Sequence, residues 1–434
     1  MKKRKPLILF LIILTTGYYQ LFGQSISGIV NTYYKVTAIN PATNILTLPS
    51  TAGLSAGTRV MLIQMKGATV NNTNSAAFGD ITTPNLAGNY EINTICDLTA
   101  TTVFLHFQLL KTYNTSAFVQ LVTIPKYDDV TISGPVTAGA WNSATGTGGV
   151  VAIEASNTIF LNSSVSATGM GFSGGTFINY PTPTYDCNWT TNITNFFLGL
   201  PPAPNNYYHG GKKGESISDY IAGSEYARGK QANGGGGGNN HNTGGAGGGN
   251  YGSGGNGGVR SNESAFLCHG PGGGVGALSL AGYGYTAGNN RVFMGGGGGG
   301  GHQNNGFGMA GGNGGGIVLL MATSIVSSGT TISANGQSPT NSLCLDPSQA
   351  EGDGGGGGGA GGSILLNAGS VTGNITVEAM GARGTNASNR VSDCTGPGGG
   401  GGGGVFWMSG ATIPGNITAN VTGGTNGVVS MGSN

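Results

Sequence analysis

The residues able to do chemistry are few. The chain holds five histidines and 16 acidic residues in 434 positions. His106 falls in the alternating stretch Val103 to Phe107, where a packed or surface imidazole is the plain expectation. The others are His209, His241, His269 and His302. His241 and His302 each follow a long glycine run and have amide neighbours, in Asn239-Asn240-His241-Asn242 and His302-Gln303-Asn304-Asn305. Two such imidazoles would suit a metal, yet no carboxylate or cysteine lies at a regular ligand spacing from either. Their side chains are expected instead to hydrogen-bond glycine backbone where the runs end. The reading is therefore no metal ligands and no cofactor.

A glycosidase would need two acids on facing strands. The nearest pairs, Asp128-Asp129 and Glu351-Gly352-Asp353, adjoin turn-like segments and read as turn chemistry. The glycine-rich stretches contain no GxxxxGK[ST] phosphate loop, and they lack the regularly placed Asp of a calcium-binding nonapeptide. The five cysteines, at 96, 187, 268, 344 and 394, form no CxxC. No catalytic residue is assigned.

Binding chemistry is better represented. Residues 176–209 hold Trp189, Phe196-Phe197, two Pro-rich pieces and Tyr207-Tyr208, and they interrupt an otherwise repetitive half. Loops on a rigid scaffold are where binding surfaces tend to lie. Trp189, Tyr207 and Tyr208 are the expected ligand surface, with Trp141 a further candidate. The bland alternative is that these rings only pack over the side of the scaffold.

The elements that must carry such a surface are strands. Residues 24–139 alternate in strand fashion: Tyr34–Ile39, a turn at Asn40-Pro41-Ala42-Thr43-Asn44, then Ile45–Leu48, Arg59–Met65, Val103–Phe107 and Phe118–Val122. Short turns between them predict a small antiparallel barrel or sandwich. From residue 140 to 434 a module recurs: glycine run, apolar strand, turn, second strand. Its copies begin at Val150, Ile317, Ile364 and Val405, with further strands at Thr158–Leu161 and Val165–Ala167 in the first copy and second strands near Thr331, Asn374 and Asn416 in the others. A partial fifth copy, around Cys268-His269-Gly270-Pro271, would use Leu278-Ser279-Leu280 as its strand. Repetition at this spacing predicts a β-repeat array in which each unit buries its apolar face against the next. The fold class expected is all-β.

The glycine runs 234–238, 295–301, 354–359 and 398–404 are pure. Fixing Gly costs roughly 0.5–1 kcal/mol more than fixing Ala. An ordered run therefore needs something to offset that cost. Polyglycine-type helices with three residues per turn supply it, because bare backbones pack side by side and bond to one another. Mobile loops are the other reading.

Composition and targeting narrow the function. Lys2 to Lys5 and the apolar run Leu7 to Leu14 read as a signal peptide, residues 1–23, cleaved near Gly23-Gln24. Charged residues make up only 8% and net charge is +1, with no basic block after the leader. Nucleic acid is excluded as a partner, since phosphate neutralisation needs clustered Lys or Arg. An exported chain can oxidise its cysteines. Cys344 and Cys394 precede long runs in successive repeats and are expected to pair; Cys187–Cys268 is a weaker pair, and Cys96 stays free.

Several phrases carry a family resemblance: Arg59–Gly67, Gln120–Tyr127, Gly229–Gly234 and Gly238–Asn242. They resemble the N-terminal region of large glycine-rich surface proteins of Bacteroidetes, many of them exported by the type IX secretion system and associated with gliding or adhesion. The resemblance implies location more than chemistry. Such proteins usually continue into adhesive repeats and a sorting domain, whereas this sequence runs to Asn434 just after a glycine-rich repeat, which leaves the export route open.

The expectation is an exported structural or adhesive surface protein, not an enzyme, whose partners are surface proteins or glycans. A carbohydrate-active or carbohydrate-binding β-solenoid is the first alternative and an ice- or surface-binding protein the second. The uncharged end after Asn420 is expected either to dock on a second copy or to fold back through Val428-Val429.

Overall fold

A computed structural model of the chain describes residues 23–177, 195–197, 210–259, 272–285, 290–303, 308–339, 353–389, 395–410 and 412–431. Over these residues the protein is nearly all β, with a large parallel sheet that nearly closes and a smaller antiparallel one. The leader, most of the aromatic insertion, and Cys187, Cys268, Cys344 and Cys394 lie outside the described residues. Cys96 is exposed and free, with Sγ 3.3 Å from the Phe104 carbonyl.

In chain order the strands are β1 (Gln24–Gly28), β2 (Tyr33–Val36), β3 (Ala38–Asn40), β4 (Ile45–Thr47), β5 (Arg59–Gln64), β6 (Thr69–Val70) and β7 (Ile81–Thr83). Next come β8 (Tyr90–Leu98), β9 (Thr102–Leu105), β10 (Val119–Ile124), β11 (Lys126–Thr137), β12 (Val150–Leu161) and β13 (Val165–Ser166). The C-terminal half adds β14 (Ile317–Ser327), β15 (Thr330–Ser333), β16 (Ser363–Thr372), β17 (Ile375–Glu378), β18 (Ala387–Asn389), β19 (Val405–Met408), β20 (Ile417–Asn420) and β21 (Val429–Met431).

The antiparallel sheet runs β2-β10-β5-β8-β9-β4-β3, and its first and last strands adjoin in sequence across Thr37. Alternation along β5 decides what it separates. Val60 and Leu62 face one core, with Leu46, Ile95, Val103 and Leu121. Met61 and Ile63 face a second core, which contains Val150, Ala152, Ile317 and Leu319 of the large sheet. A strand covered on both faces reads as an unbroken apolar run, as Val60 to Ile63 does.

The large sheet runs β19-β16-β14-β12-β11-β13-β15-β17-β20. β11 joins its two legs by pairing with β12 through residues 126–132 and with β13 at Val136 and Thr137. Like side chains then stack in register. Val151, Val318, Ile364 and Phe406 are paired in turn, as are Val165, Ile332 and Val377 on the other leg. These residues, with Ile153, Leu320 and Leu366, fill the space between the legs. Stacked apolar ladders of this kind pin the register, because a one-residue slip would turn every one of them outward.

Three expectations change. β1 and β11 come from the residues assigned to the N-terminal domain, yet both pair parallel within the large sheet. The alternation of Val130 and Ile132 marks a strand but does not name its partner. Leu278 to Leu280 forms no strand; Leu280 instead caps a short 3-10 turn, Ala281–Tyr283. Asp128 and Asp129 lie inside β11 rather than in a turn, and Asp129 Oδ1 accepts the Thr158 amide at 2.9 Å. The tail turns back on its own chain, where β21 pairs parallel with β18.

The glycine runs are buried and bonded. Down run 295–301 every third N–H donates to the same neighbouring segment. Gly295, Gly298 and Gly301 donate to the carbonyls of Gly315, Gly312 and Met309. Gly296 and Gly299 donate to Gly249 and Ala246, and Gly297 and Gly300 to Glu215 and Lys212. Its carbonyls accept from three more segments: Phe172 and Gly175, Gly235 and Gly238, Gly357 and Ala360. The backbone at these glycines avoids the left-handed region, so space rather than dihedral freedom demands Gly. A Cβ on Gly298 would come within 3.0 Å of Gly357 backbone atoms.

Candidate functional site

Most chemically active side chains are committed to holding the chain together. Glu215 is the centre of one buried cluster. Its Oε1 lies 2.7 Å from Lys66 Nζ, and its Oε2 accepts from Trp141 Nε1, Ser143 Oγ and the Ser173 amide. Burial alone pushes the Glu215 carboxyl up; the Lys66 charge and the hydrogen bonds from Lys66, Ser143 and Trp141 outweigh it, so the group sits below its ordinary range. Trp141, a candidate ligand residue, is only 7% exposed and is packed edge-on against Phe172. Its ring belongs to the interior.

Lys213 is fully buried and donates to the carbonyls of Phe196, Tyr226 and Ala227. Burial drives its ammonium well below the ordinary lysine value, with Glu225 opposing. It fixes Phe196, one of the few insertion residues described, whose ring also lies 4.8 Å from the Arg228 guanidinium. His302 Nδ1 accepts the Asn242 amide at 3.2 Å, just after run 295–301, and the His241 ring centroid is 6.3 Å away. The partner is thus a backbone amide, as expected for His302, but of Asn242 rather than of a glycine run. No group of three metal-binding side chains occurs among the described residues. Trp189, Tyr207 and Tyr208 lie outside them.

A different surface stands out. On the outer face of the large sheet Ala152, Leu319, Leu365 and Trp407 form one ladder. Ala152 and Leu319 are buried in the core shared with the antiparallel sheet. That cover ends before β19, so Leu365 is half-buried and Trp407 is 50% exposed. A groove of about 530 Å³ opens there, lined by Tyr90 of β8, Tyr251, Tyr285 and Trp407 among others.

The walls are held firmly. The Tyr285 hydroxyl reaches Asn250 Oδ1 and Ser363 Oγ, and Asn250 Nδ2 donates to the Gly361 and Gly362 carbonyls. Burial pushes the Tyr285 phenol up. Tyr251, 51% exposed, lies 5.9 Å from Tyr285 between ring centres. At the rim Arg291 donates to the carbonyls of Asn85 and Ala87, and Lys111 Nζ donates to the Asn290 carbonyl. These bonds tie the 290–291 segment to the antiparallel sheet. Among the described residues the lining contains no carboxylate, imidazole or thiol.

No family model, curated protein or solved structure matches this chain. The groove is therefore read from its own geometry. Sequence alone pointed to aromatic residues in the insertion and passed over Trp407, Tyr251 and Tyr285. Trp407 sits mid-strand and reads as core. Its one distinguishing signal is that it belongs to the last of the recurring strands, where an outer face loses its cover.

Proposed function

We propose that the chain is an exported, non-enzymatic structural or adhesive protein of a cell surface, built as a stiff mount for a binding face. The observation that carries this reading is the bonding of run 295–301. Every N–H from Gly295 to Gly301 and every carbonyl from Gly295 to Gly300 has a backbone partner. Contact with the same neighbour at every third residue is the signature of a three-residue helix, whereas a strand meets its neighbour with period two. We read the runs as packed polyglycine-type helices. The rows β12-β14-β16-β19 and β13-β15-β17-β20 are read as coils of a repeat array, and the antiparallel sheet as a small barrel on its flank. Such a body gains rigidity from backbone alone, which fits a chain with 8% charged residues.

Residues 1–23 act as the signal peptide in this account, and Cys344–Cys394 as a bridge formed after export. The partners are other surface proteins or glycans. The C-terminal edge is a second contact surface, because β19 and β20 end the sheet path. Proteinase treatment of intact cells, followed by fractionation, tests the placement. The protein is expected to be cleaved on whole cells and to be found in the envelope or medium. Full protection inside intact cells would overturn the reading. Light scattering over a concentration series tests the edge: mass should rise with concentration, and a strict monomer at every concentration would remove that partner.

A further inference from the structure

We infer that the groove between Tyr251 and Trp407 is a binding site for an uncharged glycan, taken as a short stretch of pyranose rings. The inference rests on the adhesive reading and names the partner class for it.

Four observations converge. Two large rings, Tyr251 and Trp407, are each about half exposed at one groove, although the same outer face is covered further along the sheet. Exposed aromatic surface rimmed by polar groups marks a recognition site rather than a core defect. A pyranose presents a flat face of C–H bonds that lies well on an aromatic ring, with hydroxyls around its edge. Around these rings the groove offers what hydroxyls need: the Asn290 side chain, the Tyr251 hydroxyl, and guanidinium N–H groups of Arg291 beyond the two that hold Asn85 and Ala87.

Charge narrows the class. Among the described residues the lining contains one cation, Arg291, and no acid; Lys111, whose Nζ donates to the Asn290 carbonyl, lies next to Glu91. A cationic ligand would meet the Arg291 charge with no acid among the described lining residues. Rigidity favours the same answer. Tyr285 is pinned through Asn250 to the glycine backbone at 361 and 362, so the platform against which Tyr251 leans is set before any ligand arrives. Less ordering then remains to be done on binding. With no carboxylate among the described lining residues, the proposal is of a glycan held and not cleaved.

An array of uncharged glucans, mannans, galactans and xylans, probed with the purified protein and followed by calorimetry on the best binder, tests the inference. Binding to at least one of them is expected. Trp407→Ala and Tyr251→Ala should each weaken it at least tenfold while circular dichroism shows the variants still folded at the assay temperature, since about half of each side chain is exposed. The double variant Trp189→Ala/Tyr208→Ala should bind as the parent does. Failure to bind any uncharged glycan, binding confined to acidic glycans or proline-rich peptides, or affinity unchanged in both groove variants would overturn it. Loss of affinity in the insertion variant with both groove variants unaffected would move the site and overturn it equally. Cell fractionation judges the surface-display reading separately, so a surface protein without glycan affinity would sink this inference alone.

Discussion

Gly298→Ala is expected to destabilise the protein by about 3 kcal/mol or more, the top of the usual range for overpacking. The added methyl would meet the Gly357 carbonyl group, which is backbone on a neighbouring buried run. No flexible side chain lies there to swing away. Moving Gly357 would in turn strain its own bonds to Gly299 and Gly312. Gly415→Ala is the control. A Cβ there meets nothing within 4 Å, and the backbone is outside the left-handed region. Its effect should stay within about 0.5 kcal/mol, any gain coming from the less flexible unfolded chain. Urea unfolding of both variants measures the difference. Equal stabilities would mean that the runs are not packed as described.

Lys66→Met is expected to cost about 3–5 kcal/mol at pH 7, because it strands the Glu215 carboxylate in the interior. Lys66 is itself buried, 5.2 Å from the Phe118 ring and 5.9 Å from the Phe172 ring. The loss should also depend on pH. The folded Glu215 carboxyl lies below its ordinary value of 4.5. Its contribution to stability is therefore complete above that ordinary value and disappears as pH falls through the lowered folded value. Thermal melts between pH 7 and pH 2 should show this acid step in the parent, and Glu215→Gln should shrink it. A Lys66→Met variant as stable as the parent at pH 7 would contradict the pairing.

The strands were largely legible in the sequence because alternation and glycine punctuation are local signals. Arg59 to Gln64, Ile317 to Met321 and Ile375 to Glu378 all fall where their patterns placed them. Partnership was not legible. Nothing in Lys126 to Thr137 says that it bridges two legs of one sheet, since the same alternation would serve an antiparallel neighbour. Gly298 looks the same in sequence whether it lies against Gly357 or in solvent, because a run of one residue type carries no register. The groove was hidden for a related reason. Exposure of Trp407 depends on where the antiparallel sheet stops covering the outer ladder, and Tyr251 and Tyr285 come from far-separated glycine-rich segments. His302 was readable only in part: a bond to glycine-run backbone was expected, and the backbone donor it meets is the Asn242 amide.

The ordered glycine runs also answer the energetic objection. Each fixed Gly costs roughly 0.5–1 kcal/mol relative to Ala. Each backbone hydrogen bond returns on the order of 0.5–1.5 kcal/mol net. The two are comparable only when nearly every group is bonded, as in run 295–301.

Amide hydrogen exchange distinguishes packed glycine helices from loops. The amides of Gly296 to Gly300 and Gly357 to Gly359 should be protected as strongly as those of Val318 to Leu320 in β14, and should open only with global unfolding. Exchange of those glycine amides at the rate of an unstructured chain, while β14 stays protected, would show the runs to be loops and would contradict the account.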